Sequence, residues 1–328
     1  MTDPDHTLEL DTAPGPVVEL WPLGATVHRL EVTGGDGVRR NVVLGHATVE
    51  ERLGVRTYLG TTVGRYANRI AGGRLEIDGA TYALVAHDRG NLLHGGGDGF
   101  DRRVWDVVDA DATTARLRLV SPDGDQGFPG RLVAEIEYAV SATGVRMTIT
   151  AETDAPTVCN LTHHGYANLD GDGSGSIDEQ RLRVPADSYT PVDDTDIPLG
   201  EHASVAGTPF DLRDGPLLAD VIDLDHNFVV RGSGMRTMAV LDSPRTLTRL
   251  EIRSDQPGLQ VYTGQAFDGS SRSTEGVPYA ARAGIALEPQ LFPDSPHHPE
   301  WPSAVLRPGE TYRHVLEWRF DAQPLPIS

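Results

Sequence analysis

The sequence predicts an all-β protein, a large β-sandwich with few or no long helices, and three observations carry that expectation. The 36 glycines and 23 prolines are scattered over all 328 residues. Inside a helix each would cost about 1 kcal/mol (Gly) to 3 kcal/mol (Pro), so they cut the chain into short stretches. Several of those stretches alternate apolar and polar residues with period two, the pattern of half-buried strands. No segment keeps a 3.6-residue period over three turns.

The elements follow in order. GRLEIDGATYA, from Gly73 to Ala83, reads as a hairpin turning at Asp78-Gly79. RLVAEIEYA (Arg131 to Ala139) and VRMTITA (Val145 to Ala151) alternate on either side of a Thr143-Gly144 turn. TLTRLEIR (Thr246 to Arg253) and LQVYT (Leu259 to Thr263) do the same. There is no composition shift that marks a linker and no repeat of fixed length, so propellers and solenoids are disfavoured. The expectation is one β domain over residues 1–328, with loose termini at 1–15 and 322–328.

Composition narrows the function classes. Lys and Arg number 28 against 48 Asp and Glu, a formal net charge of −20. That field repels phosphate backbones and anionic lipid, which argues against nucleic-acid and membrane partners. A single cysteine, Cys159, cannot form an internal disulfide. No apolar run reaches the roughly 18–20 residues that span a bilayer. The N-terminus is acidic and polar, without a signal-peptide pattern, so a cytoplasmic location is the default expectation.

Six polar, glycine- or proline-rich segments stand out: GTTVGRYANRI, NLLHGG, SPDGDQGFPG, NLTHHGYANL, DHNF and LEPQLFPDSPHHPEWPS. In the first, Asn68 and Arg69 offer hydrogen-bond donors, against the plainer reading of a turn held by a structural arginine. In NLLHGG, the glycines after His94 would let a ligand approach the backbone. SPDGDQGFPG reads best as a structural loop. His163 and His164 are adjacent, so in a strand only one can face a given cleft. DHNF sets Asp225 beside an imidazole. Glu288 ends the apolar run GIAL, and a carboxylate there is costly unless partnered, which makes it a site candidate.

No metal or cofactor motif in the sequence is complete. Asp170, Asp172, Ser174, Gly175 and Asp178 imitate a calcium loop, but its twelfth position is Arg181 rather than a bidentate Glu. The two His-His pairs lack zinc spacing. HExxH, P-loop, GxSxG and dinucleotide fingerprints are missing. The expectation is no metal and no cofactor. Histidine, carboxylate, amide and arginine groups around a cleft suit proton transfer on a neutral polyol.

The segments together resemble the aldose 1-epimerase (galactose mutarotase) family. GRYANRI, NLLHGG, FDRRVW, SPDGDQGFPG, LTHHGYANL, TPFDLR, DHNF, QPGLQVYTG, LEPQLFPD and LRPGETY occur in the family's order, from about Leu59 to Tyr312. The resemblance implies a β-supersandwich with the sugar in an open cleft. It implies His164 as general acid and Glu288 as general base. It also implies Asn68, Arg69, His94, Tyr166, Asp225 and Gln260 as sugar-binding residues.

Departures from the family pattern are His163 for Asn, Gly165 for Ser, Ala167 for an aromatic, and Pro289 for Thr. The first three are expected to widen the pocket around His164. Pro289 is expected to disturb backbone hydrogen bonding beside Glu288. The implied activity is interconversion of α and β anomers of a neutral aldose by a monomer or homodimer. Nearby carboxylates are expected to raise the charged fraction of His164, about a quarter at pH 7 for a pKa near 6.5. The alternatives are a sugar-phosphate epimerase, a glycoside hydrolase pairing Glu288 with Asp225, and a non-catalytic carbohydrate-binding protein.

Overall fold

Alternation along the sequence becomes alternation of burial in the computed structural model, which describes Asp3, Pro4 and residues 6–322. Leu132, Ala134, Ile136, Tyr138 and Val140 turn inward from the strand Leu132–Ser141. Val145, Met147, Ile149 and Ala151 do so from Gly144–Thr153. These two strands lie in the middle of an eight-stranded antiparallel sheet. Its order is Asp106–Ala110, Thr114–Ser121, Leu132–Ser141, Gly144–Thr153, Tyr312–Ala322, Thr248–Ser254, Arg236–Ser243, Arg181–Arg183.

A six-stranded sheet faces it, in the order Tyr166–Ala167, Ile285–Gln290, Gly258–Tyr262, Asp225–Val230, Ala186–Thr190, Ala203–Ser204. One continuous apolar cluster contains Ile136, Ile149 and Ile252 from the first sheet and Leu259, Val261, Ile285 and Leu287 from the second. This is sheet-on-sheet packing, a sandwich. The single α-helix among the described residues is Val49–Gly54, capped by Thr48. None is long and apolar enough to cross a membrane.

The predicted hairpin forms as Arg74–Ile77 and Ala80–Ala83, with Asp78 and Gly79 both at positive φ (51° and 80°). That is the backbone a two-residue turn between twisted strands requires. The N-terminal expectation needs correction. Leu8–Asp11, inside the segment expected to be loose, pairs with Val17–Trp21, and Leu10 is fully buried. The LEL alternation is a strand pattern too short to stand out alone. At the other end the last strand runs to Ala322, and the remainder of 322–328 lies outside the described residues.

Two motifs prove to be one structural unit. Arg65 of GRYANRI is buried and donates to the carbonyl oxygens of Pro129, Gly130 and Pro122 and to the Ser121 hydroxyl. It is the structural arginine of that turn, and SPDGDQGFPG is the loop it holds. Gly95 of NLLHGG packs against the same turn. A Cβ there would lie 1.8 Å from the Gly64 carbonyl oxygen, and its φ is +84°. The close approach that needs this glycine is therefore backbone to backbone, not ligand to backbone.

The strand pleat also sorts the family departures. His163, Gly165 and Ala167 point away from the side that His164 and Tyr166 occupy. His163 lies edge-on to Trp318, with ring centroids 5.8 Å apart, and is fully buried. Burial pushes its pKa down to about 3, so it is a neutral core residue. Ala167 belongs to the main apolar cluster. These changes repack the core and do not widen the pocket. Pro289 is accommodated as well: it pairs across from Leu259 in an unbroken strand, and its carbonyl accepts from the Thr162 hydroxyl at 2.6 Å.

A methyl group added at Gly165 would lie 2.6 Å from His163 Nε2 and 2.9 Å from the Trp318 ring. Gly165→Ala is therefore expected to destabilise the protein by about 1–3 kcal/mol through overpacking. His163→Asn frees that space, so the two substitutions should be non-additive by about 0.5–3 kcal/mol. Urea unfolding of both single variants and the double variant checks this. Simple additivity would show that the two positions do not compete for one volume.

Candidate functional site

The outer face of the six-stranded sheet collects the polar residues that the inner face excludes. Gln260 stands opposite Glu288, Asp225 opposite Tyr262, and Tyr166 opposite Ala286. Successive side chains alternate between faces. Glu288, Gln260, Tyr262, Asp225 and Tyr166 therefore share one face, while Leu287, Leu259, Val261 and Phe228 fill the core behind them. His164 reaches the same side from the short strand Thr162–His164, where it pairs with Thr61. Gly165 is the step between that strand and Tyr166.

Glu288, Tyr262, Asp225, Tyr166 and His164, though not Gln260, line a cleft of about 340 Å³, within the range of small-molecule sites. His164 Nε2 lies 3.4 Å from Glu288 Oε1, and both side chains are almost fully buried. Gln260 Nε2 donates to Asp225 Oδ1 at 2.6 Å. Glu288 Oε2 and Gln260 Oε1 are buried and have no hydrogen-bond partner among the described residues. Buried acceptors left open in this way cost about 1–3 kcal/mol each, and they point to a polar ligand.

One wall comes from the two loops predicted to carry polar groups. Asn68 and His94 both adopt positive φ, 61° and 47°. They brace each other: the His94 N–H donates to the Asn68 carbonyl (3.0 Å), and the Asn68 N–H donates to His94 Nδ1 (3.1 Å). A nitrogen that accepts a hydrogen bond carries no proton, so the neutral ring holds its proton on Nε2. Arg69 donates through Nε to Asp88 at 2.8 Å and approaches Asp196 at 3.2 Å.

Loss of water dominates the electrostatics. Burial, with the Asp225 charge adding to it, raises the Glu288 carboxyl well above the usual carboxylate range. Burial lowers the His164 imidazole to about 4. The expected rise in His164 charge is thus overturned, because desolvation outweighs the backbone hydrogen bond that favours the charged ring. Both shifts favour the uncharged forms at rest, with the proton kept on Glu288 and His164 neutral. His94 is driven well below 6.5 by burial first, then by His164 and Arg69. Asp225 is raised by burial, while Arg69 and the Gln260 amide pull the other way.

Every residue singled out in the sequence as acid, base or sugar ligand borders this cleft or bonds to a residue that does. The sequence reading did not single out Arg56, Tyr58, Tyr262 and Phe267, which also line it. Tyr262 was accessible in principle, two residues beyond Gln260 in an alternating strand. Tyr58 and Arg56 precede the first motif and carry no pattern of their own.

Residues 6–319 match the family model described as aldose 1-epimerase. The aldose 1-epimerase of Escherichia coli K12 is 39% identical over 98% of this chain and 96% of its own. The galactose mutarotase of Homo sapiens is 38% identical over 92% and 90%. Among solved structures, an aldose epimerase homologue from C. elegans superposes with a TM-score of 0.92 at 30% identity, covering 96% of this chain and 98% of that one. The galactose 1-epimerase of Lactobacillus acidophilus gives 0.84 at 28% identity, covering 96% and 94%. With a family model spanning nearly its whole length and relatives this similar end to end, the chain belongs to the aldose 1-epimerase family.

Proposed function

We propose that Glu288 and His164 are the base and acid with which this chain interconverts the α and β anomers of a neutral aldose. The observation that carries the proposal is their 3.4 Å contact on the floor of the cleft. Anomer exchange needs one proton removed from the C1 hydroxyl and one delivered to the ring oxygen. A pair holding one proton between its members meets that requirement. Transfer of the shared proton from Glu288 to His164 readies both groups. Glu288 then takes the O1 proton, the C1=O bond forms, the bond between C1 and the ring oxygen breaks, and His164 protonates that oxygen. Rotation about C1–C2 presents the other carbonyl face. On reclosure neutral His164 takes the proton back from the hydroxyl, and protonated Glu288 returns its own to O1.

The remaining residues bind and orient. His94 offers an Nε2–H donor, a fixed hydrogen bond rather than a proton source. Asp225 and Gln260 present a carboxylate and an amide to hydroxyls, Asn68 and Arg69 border the same space, and Tyr166 gives an aromatic platform. The Arg69 charge is already matched by Asp88 and Asp196, which supports a neutral aldose over a sugar phosphate. The proposed acid, base and binding groups are all side chains of this chain. It describes an acidic cytoplasmic protein, monomer or homodimer, acting on small sugars and not on nucleic acid or membranes.

Glu288→Gln is expected to slow polarimetric mutarotation of fresh α-D-glucose and α-D-galactose by about 10²–10⁴-fold, the range of one acid–base group. Near-normal turnover would sink the assignment. The same variant makes a second prediction about stability. A carboxyl whose folded pKa is raised contributes fully below its unfolded pKa, and that contribution fades as pH rises toward the folded value. The amide does not titrate. The melting temperature of Glu288→Gln should therefore gain on that of the unaltered protein between pH 5 and pH 8. A variant that melts progressively earlier over that interval would contradict the buried, proton-retaining state of Glu288.

A further inference from the structure

Tyr58 lies outside every sequence motif, yet its backbone is held in an unfavourable state beside the proposed acid. Its φ is +56°, a left-handed conformation that costs an aromatic residue about 1–3 kcal/mol and persists only when its surroundings enforce it. The enforcing contacts belong to the strand facing His164. The N–H and the hydroxyl of Thr61 both donate to the Tyr58 carbonyl oxygen at 3.2 Å, and Thr61 is the residue paired with His164. Gly60 N–H donates to the His164 carbonyl at 3.0 Å.

The strained turn delivers a ring. The Tyr58 centroid sits 5.5 Å from that of His164 at 27° between planes, and 4.6 Å from that of His94. Tyr166 lies 5.1 Å from His164, and His94 lies edge-on at 5.1 Å. The charged and titratable groups that face His164 are few. Glu288 approaches from Ile285–Gln290, Asp225 stands further along the neighbouring strands, neutral His94 comes from its loop, and Arg56 lies 5.5 Å from the Tyr58 ring. Burial holds the Tyr58 phenol neutral, its pKa pushed up to about 12.

We propose that Tyr58 is a positioning residue for His164: its ring face holds the imidazole against Glu288 and stabilises the imidazolium formed when the shared proton moves across. An aromatic face within about 6 Å of a cation attracts it through the ring quadrupole. With the His164 side chain only 5% exposed, that face offsets part of the cost of charging it. The proposal rests on the Glu288–His164 reading above.

The sign of the expected pH effect follows from where the protons sit. With two protons on the pair, His164 is cationic. With one, the proton is mainly on Glu288. Weakening the ring face therefore lowers the pH at which the second proton binds and leaves the loss of the last proton unchanged. In Tyr58→Leu, kcat for mutarotation should fall about 2- to 30-fold, and the acid limb of its pH profile should move down by about 0.4–1.5 units. The alkaline limb should stay in place. Tyr58→Phe keeps the ring and should restore the acid limb.

Fluorinated phenylalanines at position 58 keep the shape and drain the ring face, so the limb should step downward as fluorine is added. A ¹⁵N NMR titration of the His164 ring reads the same shift without turnover, which separates failure of this proposal from failure of the acid–base reading. An unmoved His164 titration across the fluorinated series overturns it. So does a Tyr58→Phe shift as large as that of Tyr58→Leu, which would transfer the effect to the hydroxyl.

Discussion

An imidazole and a carboxylate set 3.4 Å apart, with both side chains almost fully buried, are each pushed toward the uncharged form. The rest of the site is arranged around that constraint. Each group alone would shed its charge: Glu288 by keeping a proton, His164 by losing one. The proposed mechanism has them exchange a single proton across that short gap, and a reaction that takes one proton and gives one back needs such a reservoir. Full exposure would restore ordinary pKa values and leave most of His164 uncharged at neutral pH. Full burial without a partner would fix Glu288 as a mute acid. The cleft is closed enough to couple the two groups and open enough to admit a polyol.

The sheet makes the coupling possible because the pleat separates two solvents within one strand. Leu287 packs into the apolar cluster while Glu288 beside it enters the cleft. The same alternation puts Leu259 inside and Gln260 outside. An error of one residue in register would reverse all of these assignments. The core therefore sets the position of the Glu288 carboxyl group as rigidly as it sets its own packing. His164 obeys the same rule from a different strand, with His163 turned into the core against Trp318. Two adjacent histidines thus have opposite surroundings: one packs in the core and the other borders the cleft.

This division explains what could be read from the sequence. Periodicity and turn chemistry are local, so the all-β class, the Asp78-Gly79 hairpin and the long central strands were legible. Glu288 was legible too, because a carboxylate at the end of GIAL conflicts with its own neighbourhood. The choice of His164 over His163 was not, since alternation says that one of them faces the cleft but not which. Only the resemblance decided it, and in the structure His164 borders the cleft while His163 packs against Trp318. Leu8–Asp11 was missed because four residues form a strand only when a partner supplies the other half of the ladder. Tyr58 was missed for a related reason. Its role depends on a backbone state imposed by Thr61 and on two rings more than thirty residues away, and nothing local records either.

The departures at 163, 165 and 167 can now be placed on the energetic side of the molecule rather than the chemical side. An imidazole at 163 is larger than the amide the family usually keeps there, and the missing side chain at 165 is the space it occupies. Ala167 sits on the same face of the segment, within the apolar cluster. These are compensating changes of volume in a close-packed interior, where total volume and polarity pattern matter more than identity. The position of His164 is fixed separately, its backbone tied to Gly60 and paired with Thr61. The substitutions that would change the choice of sugar therefore belong to the opposite face, among the groups bordering the cleft opposite the core, and of these Arg56 and Tyr58 belong to no motif shared with the family.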